Sequence, residues 1–253
     1  YIWWQGLAAV AFSPSYKTKI MWAIFFAYVI YAMTRLNFTW DRFVVGIHNG
    51  AQFLSRMFPP QVMQPESMFK GLQESLEIAV LASFFGVILS LPLGVLAARN
   101  LMPKWITWIA RTVIALCRSF HPLIVAILFV KAVGFGALAG ILTLIVASIG
   151  FIAKLFAEAI EEISPKQVEA IKATGAPFLS MLDYGVFPQV MSRFVGFVTY
   201  QIDSNLRNST MVGIVGAGGI GDTLFAAFQR FDYDFVCTIL LAIFAMIMAG
   251  ELL

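Results

Sequence analysis

The chain has 253 residues, 60% of them hydrophobic and 12% charged, with a formal net charge of +3. Soluble domains run at roughly 45–50% apolar and about 25% charged, and a fold of this size has no core able to hide the excess, so lipid must take it. The small charge, spread without a basic block, argues against nucleic acid as a partner, and Cys117 and Cys237, each among apolar neighbours, read as buried thiols rather than disulfide or metal ligands.

A helix that crosses the hydrocarbon needs about 20 mostly apolar residues. The first apolar stretch lacks a small-residue cleavage site, so no signal peptide is read there; with Tyr1 first and an apolar run near the last residue, both ends are open to further chain. Ile20 to Thr34 is the first expected span, short but flanked by Lys19 and Arg35, which can snorkel. The segment Arg35 to Glu77, with Pro59–Pro60 and Pro65, is expected to lie outside and to hold a short interfacial helix. Ile78 to Ala98 and Ala132 to Ala153 are charge-free spans. Between them, Thr112 to Val130 reads as a span carrying Arg118 and His121–Pro122. Gln189 to Val215 carries Arg193, Asp203 and Arg207, and Phe235 to Gly250 is the last span.

Six spans put both termini on one side. With Lys17, Lys19, Arg99, Lys104, Arg111, Lys154, Lys166, Lys172 and Arg193 in the cytoplasm, Arg35, Arg42, Arg56, Lys70, Lys131 and Arg230 fall outside, a weak positive-inside bias. No internal repeat stands out. The organisation expected is an N-terminal span with its external connection over 1–71, then one core over 72–253.

Between Ala153 and Gln189 the composition turns polar. Glu158, Glu161, Glu162, Lys166, Glu169, Lys172 and Asp183 cannot lie in hydrocarbon at tolerable cost. Ser164–Pro165–Lys166–Gln167 predicts a helix start with Ser at the N-cap, Pro at the first helical position and Gln closing a capping box. Gly175 predicts its stop, with Pro177 beyond. A helix of about ten residues is too short to persist alone. Val168 and Ile171 give it an apolar stripe, while Ala170, Ala173 and Gly175 keep part of its surface low enough for another protein to approach.

Glu169–Ala170–Ile171, Gly175 and Phe187–Pro188 resemble the coupling-loop motif of bacterial ABC importer permeases: Glu-Ala-Ala, three residues, Gly, nine residues, Ile, one residue, Leu-Pro. The spacing is intact, with Ile171, Gly185 and Phe187 departing from the usual residues. Asn205 to Gly221, together with Ala98–Leu101, Ala170–Ala176 and Tyr184–Val190, is similar to the phosphonate-type branch, over roughly Leu72 to the end. That resemblance implies an all-α membrane protein of about six transmembrane helices with the type I ABC importer permease fold and a cytoplasmic coupling helix. It also implies a bacterial inner-membrane location and a cargo of phosphonate, phosphite or hypophosphite. The implied partners are two ATPase subunits, a second permease (copy or related chain) and an external substrate-binding protein. Coupling to the ATPase would fall to Glu169, Ala170, Ile171, Gly175 and Pro188. No cofactor is implied for this chain; ATP and magnesium would be bound by the ATPase, and no phosphate-binding Gly-x-x-x-x-Gly-Lys-Ser/Thr loop occurs here.

Gly216–Ala217–Gly218–Gly219–Ile220–Gly221 spells a dinucleotide fingerprint, but a span precedes it where the mechanism needs a strand. The better reading is a loop in which Gly216, Gly218, Gly219 and Gly221 permit tight turns and close packing. Gly219–Ile220–Gly221–Asp222 and Tyr233–Asp234 imitate an intramembrane aspartyl protease in reversed order, one alternative; a passive anion channel is the other. Polar groups within spans are the candidates for a translocation path: Arg118 and His121, three apart on a helix face; Asp203 and Arg207, able to neutralise each other; and Asn205, Ser209 and Thr210. A mostly neutral path suits conduction, since a strongly cationic pore would trap the anion.

Overall fold

The computed structural model describes residues 16–251. The residues before Tyr16, on which part of the signal-peptide reading rests, lie outside the described residues. One compact unit ends at Arg56 and a second begins at Met57, and the expected junction at 71/72 falls within a helix.

The first unit contains α1 (Tyr16–Arg35) and α2 (Trp40–Arg56), bent by 62° at the intervening turn. Helix α1 matches the expected first span. The 17-residue α2 lies in the segment expected to hold a short helix, with Asp41 and Arg42 at its start and Arg56 at its end, and only together do α1 and α2 pass as one bent span.

The second unit contains α3 (Pro65–Ala97), α4 (Lys104–Ser119), α5 (Pro122–Val133), α6 (Ala137–Glu161), α7 (Pro165–Ala173), α8 (Phe178–Met181), a π-helical turn at Leu182–Val186, α9 (Phe187–Gly213), α10 (Ile220–Gln229) and α11 (Tyr233–Glu251). Prolines at the first helical turn open α3, α5, α7 and α9, where a missing N–H costs nothing. Helix α3 starts thirteen residues before the expected Ile78, so Pro65, Lys70, Glu74 and Glu77 belong to it and not to an external loop.

Two other expectations are corrected. Thr112 to Val130 is not one helix: the chain breaks at Phe120–His121, both extended, and α4 and α5 meet at 92°. Pro122 supplies the reason, since it disfavours helical backbone at the residue before it. Ala132 to Ala153 is also divided. Gly134 (φ +95°) and Gly136 (φ +122°) end α5 and delay α6 to Ala137, and α6 then runs on to Glu161, so Glu158 and Glu161 lie on its last turns.

Among the described residues, three helices, α3, α6 and α11, are long and apolar enough to cross a membrane, and up to five spans result if each bent pair counts as one. Helix α9, at 27 residues, is long enough at ~40 Å, but its polar residues set it apart in composition.

Helix α3 forms the centre by packing along α6, then α9. Ala79, Ser83, Gly86, Ser90 and Gly94 recur every three or four residues and are buried. A Cβ on Gly86 would stand 2.5 Å from Ser148 Cβ of α6, and one on Gly94 would stand 2.7 Å from Phe156 Cδ1. In lipid, helices gain little from burying apolar area against each other, so small residues that let backbones meet decide the seam. The opposite side of α3 exposes Val80, Phe84, Phe85, Ile88 and Leu89.

Candidate functional site

At one end of the bundle, charges on three elements converge. Glu161, ending α6, accepts from Arg111 Nη2 of α4 at 2.7 Å and from the Arg99 backbone N–H at 2.7 Å. Arg111 Nε donates to Ala97 O, one of the free carbonyls that end α3, at 3.0 Å. Asn100 donates to Ile160 O at 2.7 Å, and Arg193 of α9 pairs with Glu162. These contacts bring Arg99, Arg111 and Arg193 to the same end as α7.

Helix α7 is held by its own chain. Val168 is buried and Ile171 half-buried against Leu182, Val186, Phe156 and Ile160. The apolar stripe read from the sequence therefore faces this protein's core, not a partner. Glu169, Ala170, Lys172 and Ala173 are exposed, as is Pro188 at the start of α9. Ser164 does occupy the N-cap, but no side-chain cap forms; its N–H instead donates to Gln189 Oε1 at 3.2 Å, so Gln189 takes the role expected of Gln167. Gly175 sits at φ +76° with open space around it, and its N–H donates to Lys172 O at 3.0 Å. Leu179 and Tyr184 add exposed apolar surface beside α7.

Gly185 is buried in the π turn, and a Cβ there would stand 3.1 Å from Ile171 Cδ1. Two of the three departures from the coupling-loop motif thus adjoin each other. Ile171 is larger than the usual residue, Gly185 is smaller, and one fills the volume the other vacates.

The in-span polar residues divide into two groups. Asn205 is fully enclosed: its Nδ2 donates to Ser83 Oγ and Ser148 Oγ, each at 2.9 Å, and its Oδ1 accepts from Gln201 Nε2 at 2.9 Å. Gln201 also reaches Ser148 Oγ at 3.1 Å. Asn205 is therefore the knot of α3, α6 and α9, with its amide engaged by side chains of this same chain. Ser209 and Thr210 are buried and donate to the carbonyls of Leu206 and Arg207 at 2.8 and 2.7 Å. Asp203 and Arg207 form an ion pair one turn apart, with Arg207 the more open of the two. Asp203 Oδ1 is buried without a hydrogen-bond partner. Beside them Asn208 Nδ2 meets Ser204 Oγ at 3.4 Å, and Thr199, Tyr200 and Met211 continue an outward strip on α9.

Arg118 and His121 do not share a helix face, because the α4–α5 bend lies between them. His121 caps α5, its Nδ1 accepting the Leu123 N–H at 3.3 Å, while Arg118 packs its Cγ against Gly150. The sequence pattern overlooked Ser83 and Ser148; the every-fourth-residue run of small residues on α3 was the available signal.

The glycine loop joins α9, α10, α3 and α6. Gly216, Gly218 and Gly219 have φ between +81° and +86°. Ser75 Oγ of α3 accepts the Ile220 N–H at 2.9 Å, and Gly136 N–H donates to Gly216 O at 3.0 Å. Gly221 lies in the first turn of α10, where a Cβ would fall 2.0 Å from Thr210 O. Helix α10 itself was not anticipated. It places Asp222 in its own first turn and Asp234 in the first turn of α11, so the two carboxylates open separate helices, whereas a catalytic dyad that shares one proton needs them face to face. No group of three metal-ligating side chains occurs among the described residues.

A family model described as "Binding-protein-dependent transport system inner membrane component" matches residues 90–253. The chain is 35% identical over 246 residues to the phosphite transport system permease protein PtxC of Stutzerimonas stutzeri, covering 97% of this chain and 86% of that one. It is 40% identical over 216 residues to the phosphate-import permease protein PhnE of Mycolicibacterium smegmatis, covering 85% of this chain but only 40% of that longer relative. Among solved structures, an inward-facing form of the MetNI methionine ABC transporter aligns at TM-score 0.64 and 23% identity, over 76% of this chain and 96% of its own. A bacterial ABC transporter that imports alginate aligns at TM-score 0.61 and 16% identity, over 92% and 97%. These two likenesses concern the fold alone.

Proposed function

The chain belongs to the family of binding-protein-dependent transport inner-membrane components, and on that premise we propose that it is the permease subunit of an ATP-driven importer for a small phosphorus oxyanion such as phosphonate, phosphite or hypophosphite. The observation that carries this reading is α7. A nine-residue helix, too short to stand alone, is fastened by Val168 and Ile171 to the core and turns Glu169 and Ala170 outward beside Gly175. A passive channel has no use for such a surface; a subunit driven by a separate ATPase does. The cargo class is supported by the names of the phosphite and phosphate relatives.

In this reading the assembly holds two ATPases, each seated on one α7, with a second permease (copy or related chain) and an external binding protein. ATP and magnesium belong to the ATPases, and this chain holds no cofactor. Both termini lie in the cytoplasm, on the side of α7. The outward strip of α9 around Asp203 and Arg207, with Arg118 and His121 at the α4–α5 bend, lines the path. Asn205, Ser209 and Thr210 hold the protomer together. Arg207, tempered by Asp203, binds the anion weakly enough to release it, and selectivity rests with the binding protein.

The test is uptake of phosphite, a phosphonate and phosphate into proteoliposomes holding the full assembly. Uptake should require ATP and should fall when Glu169→Lys weakens ATPase association. ATP-independent uptake would overturn the importer reading, and a native mass with one permease per two ATPases would overturn the paired permease.

A further inference from the structure

Two adjoining clefts open along α4 at the α7 end of the bundle, apart from the coupling surface and the α9 strip, with Arg118 the one lining residue shared with the proposed path. The larger, about 610 Å³, is lined by Arg99, Lys104, Thr107, Trp108 and Arg111. The second, about 350 Å³, shares Arg111 and adds Arg118 and Lys154. Five cations therefore face one groove, and no acidic residue lines either cleft. Glu161 neutralises Arg111, and Glu158 approaches Lys154 at 3.5 Å. No ion pair engages Arg99, Lys104 or Arg118 among the described residues.

Thr107 provides the second observation. It is 4% exposed, and its hydroxyl has no hydrogen-bond partner. Thr112, on the same helix, satisfies its hydroxyl on the Trp108 carbonyl at 2.9 Å. A buried hydroxyl left unmatched is uncommon and costly, and the residue that carries it is one of those lining a cleft whose charged groups are all donors. Trp105 and Trp108 stand exposed on the same helix, the residue type that settles at headgroup depth.

We propose that this groove is a binding site for a phosphoryl oxyanion, held by Arg99, Lys104 and the Thr107 hydroxyl, with Arg111 behind them. The group comes either from an anionic phospholipid headgroup or from free phosphate on the α7 side; both present tetrahedral oxygens to charged donors. The site does not depend on which anion the protein transports.

The full chain, purified in a maltoside detergent that contains no phosphate, allows the two sources to be tried separately. In one arm, native mass spectrometry follows retention of phosphatidylglycerol against diacylglycerol, which lacks the phosphate. In the other, inorganic phosphate is titrated while tryptophan emission is read. The expected result is selective retention of phosphatidylglycerol, a saturable emission change with phosphate, or both; the positive arm names the source. Thr107→Val should weaken the positive arm about tenfold, the scale of one hydrogen bond to a charged group, and Arg99→Gln/Lys104→Gln should weaken it further. Thr107→Val removes an unmatched hydroxyl, so its thermal stability should hold or rise, which separates lost binding from lost folding. No response in either arm, or equal binding by wild type and the variants, overturns the site.

Discussion

Exchanging residues 171 and 185 tests whether the α7 docking is a matched pair of volumes. Ile171→Ala alone removes three carbons from a half-buried side chain; at ~0.8 kcal/mol per fully buried methylene, the loss is about 1 to 1.5 kcal/mol. Gly185→Ile alone drives a branched side chain into the place where even a Cβ would stand 3.1 Å from Ile171 Cδ1. Overpacking of that kind costs about 1–3 kcal/mol, offset by roughly 0.5–1 kcal/mol because a helical glycine is replaced. Gly185 is not among the glycines with positive φ, so the backbone itself raises no objection. In Ile171→Ala/Gly185→Ile the new side chain enters the vacated space, and the net change should be within about 0.5 kcal/mol of zero. The coupling energy is then about 2 kcal/mol, well beyond the ~0.5 kcal/mol scatter expected of independent sites. Thermal unfolding in detergent reads it: each single variant should melt roughly 2–5 °C lower, and the double should return close to wild type, with ATPase stimulation restored in parallel. A double variant whose loss equals the sum of the two singles would refute the reasoning, because it would mean that the residues do not share space.

Gly175→Leu meets no neighbour within 4 Å but must hold φ near +76°, a strain of about 1–2 kcal/mol; the protein should insert and fold yet lose uptake, and normal transport would remove α7 from the coupling path. Asn205→Ala should lower the melting temperature by leaving Ser83 and Ser148 without their shared donor, at about 1–3 kcal/mol, with uptake per folded molecule unchanged. Intact stability with lost uptake would instead put Asn205 in contact with the anion. Asp203→Asn and Arg207→Gln should each reduce folded yield, because each strands a charge in the span. The double should recover yield but not transport, as expected if Arg207 serves the anion, and full recovery of uptake would end that role.

Composition alone established that this chain lives in lipid, since excess apolar content is a property of the whole chain and survives any arrangement of it. Local chemistry placed α7, its proline start and its glycine stop, because caps and turns involve residues within one helical turn of each other. The same locality explains what was misplaced. A run of apolar letters does not reveal that Pro122 breaks Thr112 to Val130 into two helices at 92°, or that Gly134 and Gly136 divide the next run. The polar residues of α9 were legible as candidates, but their fates were not. Asn205 and Asp203 lie two residues apart, and only the fold decided that one meets Ser83, 122 residues away, while the other points to the outward strip. The apolar stripe of α7 likewise looked available for a partner until Gly185, fourteen residues on, was found to have made room for Ile171. Each of these outcomes depends on which distant surfaces come within a few ångströms, and that is settled by packing between helices, a quantity no local window of sequence contains.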